Sequence, residues 1–194
     1  MRIKDINIVN FKGFQNETVV FNGNLTVVIG NNTAGKTTLL KAIQVGLGAY
    51  LQSLKQLPGG APYRRNFSSL DKFMRFDEEL RDYIPNEEKP RITINAGFPI
   101  TQALCDNCPK VSFIPVHWYR EFAGNYTTHT RACAGELIDA VHQMESLRYD
   151  EKQESVYPLV LAFGAKRTSD SQAKSTSNVK ERASRIEKAY KFAL

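Results

Sequence analysis

Three neighbouring features of the sequence predict an α/β fold. Leu25-Thr26-Val27-Val28-Ile29 is a short apolar run rich in β-branched residues, the composition of a buried strand. Gly30-Asn31-Asn32-Thr33-Ala34-Gly35-Lys36-Thr37 follows directly and fits the phosphate-binding pattern G-x-x-x-x-G-K-[ST] without a mismatch. After it, Leu39, Leu40, Ile43, Leu47, Tyr50, Leu51 and Leu54 recur at helical spacing. Strand, loop and helix in this order make a phosphate cradle. The glycines let the backbone curl without a Cβ in the way. Successive N–H groups then point inward at the positive end of the following helix. Lys36 supplies an ammonium for the terminal phosphates, and the Thr37 hydroxyl is placed to ligate magnesium.

The other elements follow from local pattern. Ile3, Ile6, Ile8 and Phe11 alternate with polar residues and predict a strand near 2–10. Phe11–Asn16 reads as a connection, and Thr18-Val19-Val20-Phe21 as a second strand closing an antiparallel hairpin. Asn22-Gly23-Asn24 is a turn. The helix after Lys36 is expected to reach about Leu54. Gly46 and Gly48 inside it either permit close packing or break it early. Pro58-Gly59-Gly60-Ala61-Pro62 ends the element. Arg64 and Arg65 then read as a solvated basic pair in a loop. A short helix is expected within Ser69–Ile84, with Ser69 as its cap and Asp71 just inside. Arg91–Phe98 and Val111–Tyr119 read as two strands of a hairpin, with Pro115 marking the second as an edge or bulged strand. Cys105-Asp106-Asn107-Cys108-Pro109 would sit at its tip. A helix is expected over about 135–149, a buried strand over Val156–Gly164, a Ser/Thr/Lys-rich loop over Thr168–Ser177, and a helix over Asn178–Leu194.

Composition sets the bounds. The 194 residues are 42% hydrophobic and 24% charged, enough for one domain with a core, or part of a larger domain. Eight basic against three acidic residues fall between Lys166 and Leu194, so that segment carries +5 of the net +6. The basic balance therefore belongs to the tail, read as a solvated helix face, and is no argument for a DNA-binding body. No apolar run approaches a membrane span. An N-terminus without a signal peptide and only three cysteines together point to the cytoplasm.

Ile8-Val9-Asn10-Phe11-Lys12-Gly13-Phe14, followed by Leu25 through Ile43, resembles the opening of the RecF, SMC and OLD-type ATPases. The resemblance implies a P-loop NTPase of the ABC-type head class: an antiparallel β-layer, a core sheet and flanking helices, here incomplete. The organisation it implies is an N-terminal head lobe over 1–165, a flexible loop over 166–177, and a basic helix over 178–194 leading into a further C-terminal part. A narrower resemblance is to the PtuA-like ATPases of Septu and retron antiphage systems. It rests on Trp118-Tyr119-Arg120-Glu121, on Pro158–Gly164 ending in Arg167, and on Ser184–Lys191. It implies an ATPase using ATP and Mg2+, acting as a homodimer or higher oligomer through its heads, with an HNH-type nuclease partner, possible nucleic-acid contact and no membrane. Residue by residue it places Asn10, Phe11 and Lys12 against the nucleotide's base and sugar. Gly30, Asn31, Asn32, Thr33, Ala34, Gly35, Lys36, Thr37 and Thr38 wrap the phosphates. Lys36 is the catalytic lysine and Thr37 the magnesium ligand. Arg167 falls near the nucleotide-sensing region, while Gln143, Gln153 and Gln172 all compete for the Q-loop position.

Two parts of such a head are missing from the sequence. No apolar strand ends in Asp-Glu, the Walker B pattern that positions magnesium and the attacking water. Leu137-Ile138-Asp139 is too short, and Ala140 stands where the second acid belongs. No signature loop is present either. The expectation is an N-terminal piece of a longer ATPase, inactive alone, with the second lobe on another chain as the alternative. Cys105, Cys108, His129 and Cys133 have spacing compatible with zinc, against a reading as turn chemistry with incidental cysteines. His117 and His142 read as structural or surface residues. The competing functions are a defence ATPase with a nuclease partner, a RecF/SMC-like repair or chromosome-maintenance ATPase, and a nucleotide-binding scaffold with little turnover.

Overall fold

The computed structural model describes residues 1–55, 64–102, 110–149 and 157–162. The elements, in chain order, are β1 (Arg2–Phe11), β2 (Phe14–Val20), α1 (Lys36–Ser53), β3 (Met74–Asp77), β4 (Asp82–Pro85), β5 (Arg91–Gln102), β6 (Lys110–Glu121) and α2 (Arg131–Tyr149). One antiparallel sheet runs in the order β2-β1-β5-β6, and β3 and β4 form a separate two-stranded hairpin.

Period-two alternation sets the inner face of the large sheet. Ile6 and Ile8 of β1, Ile92, Ile94, Ala96 and Phe98 of β5, and Val116 and Trp118 of β6 are all buried. Register carries this face across the sheet: Ile6 pairs with Ile94, and Ile94 with Trp118. Each isoleucine, valine and phenylalanine among them contributes about 1.5–3 kcal/mol by leaving water. A one-residue slip would turn the whole set outward. Pro115 lies on β6, an edge strand as expected, opposite Gly97. On that free edge the His117 amide donates to Glu136 of α2, 2.7 Å away.

The helix α1 lies on this face and runs unbroken through both glycines. A Cβ at Gly46 would stand 2.3 Å from the Ile94 Cδ1 atom, and one at Gly48 would stand 2.3 Å from an Arg120 guanidinium nitrogen. The glycines therefore permit close packing. β6 also reaches α1 with polar atoms. Trp118 Nε1 donates to the Gly46 carbonyl at 2.9 Å and Arg120 Nη1 to the Val45 carbonyl at 2.7 Å. The helix α2 covers the rest of the face with Leu137, Val141 and Met144. Glu145 of α2 accepts the Lys55 amide just past the end of α1.

Several expectations are corrected. Ser69–Asp71 is a single 3-10 turn, and the chain continues into the β3–β4 hairpin where a helix was expected. The residue that begins this turn is Ser68, whose amide and hydroxyl both donate to Asp71 Oδ2. α2 opens with a short turn from Arg131 that is broken by non-helical backbone at Ala134 (φ −143°, ψ 26°), and the helix beyond the break, from Gly135 to Tyr149, is the expected one. Leu25–Ile29 forms no strand and pairs with none among the described residues. Its Leu25, Val27 and Ile29 are 79%, 73% and 87% exposed. The described residues of the second expected buried strand, 157–162, likewise form no strand. There Pro158 and Val160 turn inward and Leu159 and Leu161 outward, and Tyr50 donates to the Pro158 carbonyl. The Cys105–Cys108 tip, the 166–177 loop and the 178–194 helix lie outside the described residues.

Candidate phosphate-binding site

The loop from Gly30 to Gly35 delivers the chain into α1. Gly35 sits at the helix entrance with φ of 83°, in the left-handed region. A Cβ there would also stand 2.9 Å from the Phe14 ring, so glycine is needed for conformation and for space. Thr33 adopts φ of 73°, a costly value for a β-branched residue. The Ala34 amide closes the turn on the Asn31 carbonyl at 3.2 Å.

No side chain caps the start of α1, and its first turn holds no acidic residue. The amides of that turn have no partner within the helix, and the helix dipole adds to their positive potential. Lys36 turns back over the loop, with Nζ donating to the Gly30 and Asn31 carbonyls, each at 2.6 Å. An ammonium held above uncapped helix amides is a donor set with no anion of its own. It fits a phosphate chain. Thr37 is exposed at the helix start and Thr38 half-buried.

The β1–β2 turn stands against this loop. Asn10 and Lys12 both adopt left-handed backbone, with φ of 56° and 52°. Phe14, which the sequence reading did not single out, joins turn to loop through its contact with Gly35. The expected base-side residues are placed differently from one another. Asn10 is fully buried and its amide nitrogen donates to the Glu88 carbonyl. Phe11 is fully buried with its ring edge-on to Phe67, 5.7 Å between centroids. Lys12 is partly exposed and pairs with Asp71 at 2.7 Å.

Asp71 is the other residue that sequence reasoning undervalued. It is 1% exposed and is gripped by Lys12, by Ser68, and by Arg65 at 3.6 Å. Burial pushes its carboxyl up, but the Lys12 ammonium and the Ser68 donors outweigh burial and hold it below the ordinary value. Backbone bonds fasten the same contact: the Lys12 amide donates to the Asp71 carbonyl and the Phe73 amide to that of Asn10. The segment after α1 is thus tied to the turn that abuts the phosphate loop.

The zinc reading keeps only His129 and Cys133 among the described residues, because Cys105 and Cys108 lie outside them. No group of three metal-capable side chains occurs among the described residues. Gln143 is exposed on α2, while Gln153, Gln172 and Arg167 lie outside the described residues. Among the described residues, no helix is long and apolar enough to cross a membrane.

The family model of the AAA ATPase domain matches residues 1–191. Over 49 residues the chain is 45% identical to the Retron Ec83 probable ATPase of Escherichia coli, a stretch covering 24% of this chain and 9% of that protein. Over 47 residues it is 43% identical to the DNA double-strand break repair Rad50 ATPase of Sulfolobus acidocaldarius, covering 24% of this chain and 5% of that protein. Each matched stretch is thus under a tenth of the relative's own length. A solved structure from work on ATP-driven dimerization and DNA-stimulated activation of SMC ATPases superposes with a TM-score of 0.41 at 17% identity, over 73% of this chain and 78% of that one.

Proposed function

The chain belongs to the AAA ATPase domain family, and from that premise we propose that it binds ATP with Mg2+ on the Gly30–Thr37 loop, as the nucleotide-gripping half of an ATPase in a bacterial antiphage system that controls a partner nuclease. The observation that carries the ATP site is Lys36 poised over the uncapped start of α1. In this reading the loop amides and Lys36 hold the β- and γ-phosphates, Lys36 exchanging two carbonyl acceptors for charged ones. The Thr37 hydroxyl, exposed beside them, holds the metal, which when bound neutralises charge developing on the phosphates. Asn31 and Asn32 line the outer wall.

The defence assignment is supported by similarity to the Retron Ec83 probable ATPase. The Rad50 similarity supports a second reading, an ATPase of DNA repair. In this reading the acids that orient the attacking water are not those of β3, which runs into Asp77-Glu78 but carries Arg75 and is largely exposed. ATP then bridges two heads. Alone, the 194-residue chain binds ATP weakly and turns it over negligibly.

Isothermal titration with ATP and Mg2+ tests the site. Lys36→Ala is expected to weaken binding at least tenfold without lowering the melting temperature. Unchanged affinity would remove the loop from the site. Appreciable turnover by residues 1–194, abolished by Lys36→Ala, would overturn the half-site reading. Toxicity or phage protection that depends on a co-expressed nuclease separates the defence reading from repair.

A further inference from the structure

Arg120 is a buried cation without a counter-charge. It is 1% exposed, and its bonds go to neutral acceptors: Nη1 to the carbonyls of Val45 and Arg65, at 2.7 and 3.1 Å, and Nη2 to Asn66 Oδ1 at 2.8 Å. Its Nε is buried with no acceptor. Among the described residues no carboxylate lies within ion-pair distance of Arg120 or Arg64. Asp71 is taken by Lys12 and Arg65, and Glu121 by Arg91 and Lys89.

Two further unpartnered nitrogens belong to the same neighbourhood, Arg64 Nε and His129 Nδ1. The surrounding bonds draw the three segments together. Arg120 grips residues 65 and 66, next to Arg64. The Phe67 amide donates to Thr127 Oγ1 and the Glu121 amide to Thr128 Oγ1, which brings the residues before His129 alongside both. Arg120 is fully buried, and Arg64 and His129 are half-buried. The positive charge is felt within the cluster. Burial, and then the Arg64 charge, lower Arg120 to about 9. Burial, then Arg120, then Arg64, lower His129 to about 4.

We propose that Arg64, Arg120 and His129 form an oxyanion site whose ligand is a phosphate group. Donors from three separate segments suit the several oxygens of a phosphate, and guanidinium nitrogens match its spacing. No residue of the Gly30–Thr37 loop takes part, so the site does not depend on the ATP reading. The phosphate is either a free ion or one in a nucleic-acid backbone.

The test uses the full chain carrying Lys36→Ala, so that the loop does not compete, and titrates inorganic phosphate by calorimetry and by 31P line broadening. One equivalent is expected to bind, with affinity falling at least tenfold when Arg64→Gln is added and by a smaller factor with His129→Gln. Both positions are half-exposed, so the variants are expected to fold, which circular dichroism checks. A twelve-nucleotide single strand that binds in the same Arg64-dependent way assigns the phosphate to nucleic acid. Arg64-dependent binding of inorganic phosphate alone assigns a small ion. Absence of Arg64-dependent binding of both overturns the proposal.

Discussion

At Gly46 the missing Cβ sets the distance between helix and sheet, since any side chain there would enter the space of Ile92 and Ile94. Gly46→Ala gains helix propensity of about 1 kcal/mol but overpacks the core, a change that costs about 1–3 kcal/mol. The expected result is net destabilisation in urea titration with helix content kept. His129 is a second decisive position. Its pKa of about 4 lies below the ordinary 6.5, so between those values the unfolded chain binds a proton that the folded chain does not. Stability therefore falls as pH drops from 6.5 toward 4. In phosphate-free buffer, His129→Gln is expected to flatten that loss in urea midpoints measured at pH 7 and pH 4.5. An unaltered pH slope would show that other groups carry it. Such positions are poorly legible in sequence. His129 is a plain loop histidine until Arg120, nine residues earlier, is seen buried beside the Arg64 segment.

The elements were legible where one period dominates. β5 and β6 alternate cleanly and pair at the expected place: β5 begins at Arg91 as expected and runs on to Gln102, and β6 is longer at both ends. The β3–β4 hairpin was missed for two reasons. Leu70, Phe73, Met74, Leu80 and Tyr83 fall partly in helical register, and no glycine marks the turn. The turn is made by other means: Asp77 Oδ1 accepts the Glu79 and Leu80 amides, and Arg81 takes the left-handed φ of 49° that glycine would ordinarily supply. An isolated two-stranded hairpin is marginal, so the edge-on Phe76–Tyr83 pair, 5.3 Å between centroids, carries much of its order. Phe76→Ala is expected to raise amide exchange across Met74–Pro85 while the global melting temperature moves little. A large global shift would mean that the hairpin folds with the core.

For the molecule as a whole, the phosphate loop was readable because its residues are contiguous. What braces the loop is not contiguous. Phe14 meets Gly35, and Lys12 meets Asp71 across 59 positions of sequence. The family match over residues 1–191 extends well beyond the 49-residue stretch shared with the retron ATPase. The sheet that holds the core is antiparallel and separate from the segment that leads into the loop.

That leading segment, Leu25–Ile29, has a practical consequence. Five β-strand-forming residues, uncharged and free of proline, stand in water with no ladder partner among the described residues. Such a stretch is a template for its own kind: two copies from different molecules can zip together edge to edge. Purified chain is expected to cloud on concentration and to stain with amyloid dyes. Val27→Lys, a gatekeeper charge at a 73% exposed position, should raise the soluble ceiling several-fold in centrifugation assays. The stretch that feeds the nucleotide loop is thus also a colloidal hazard.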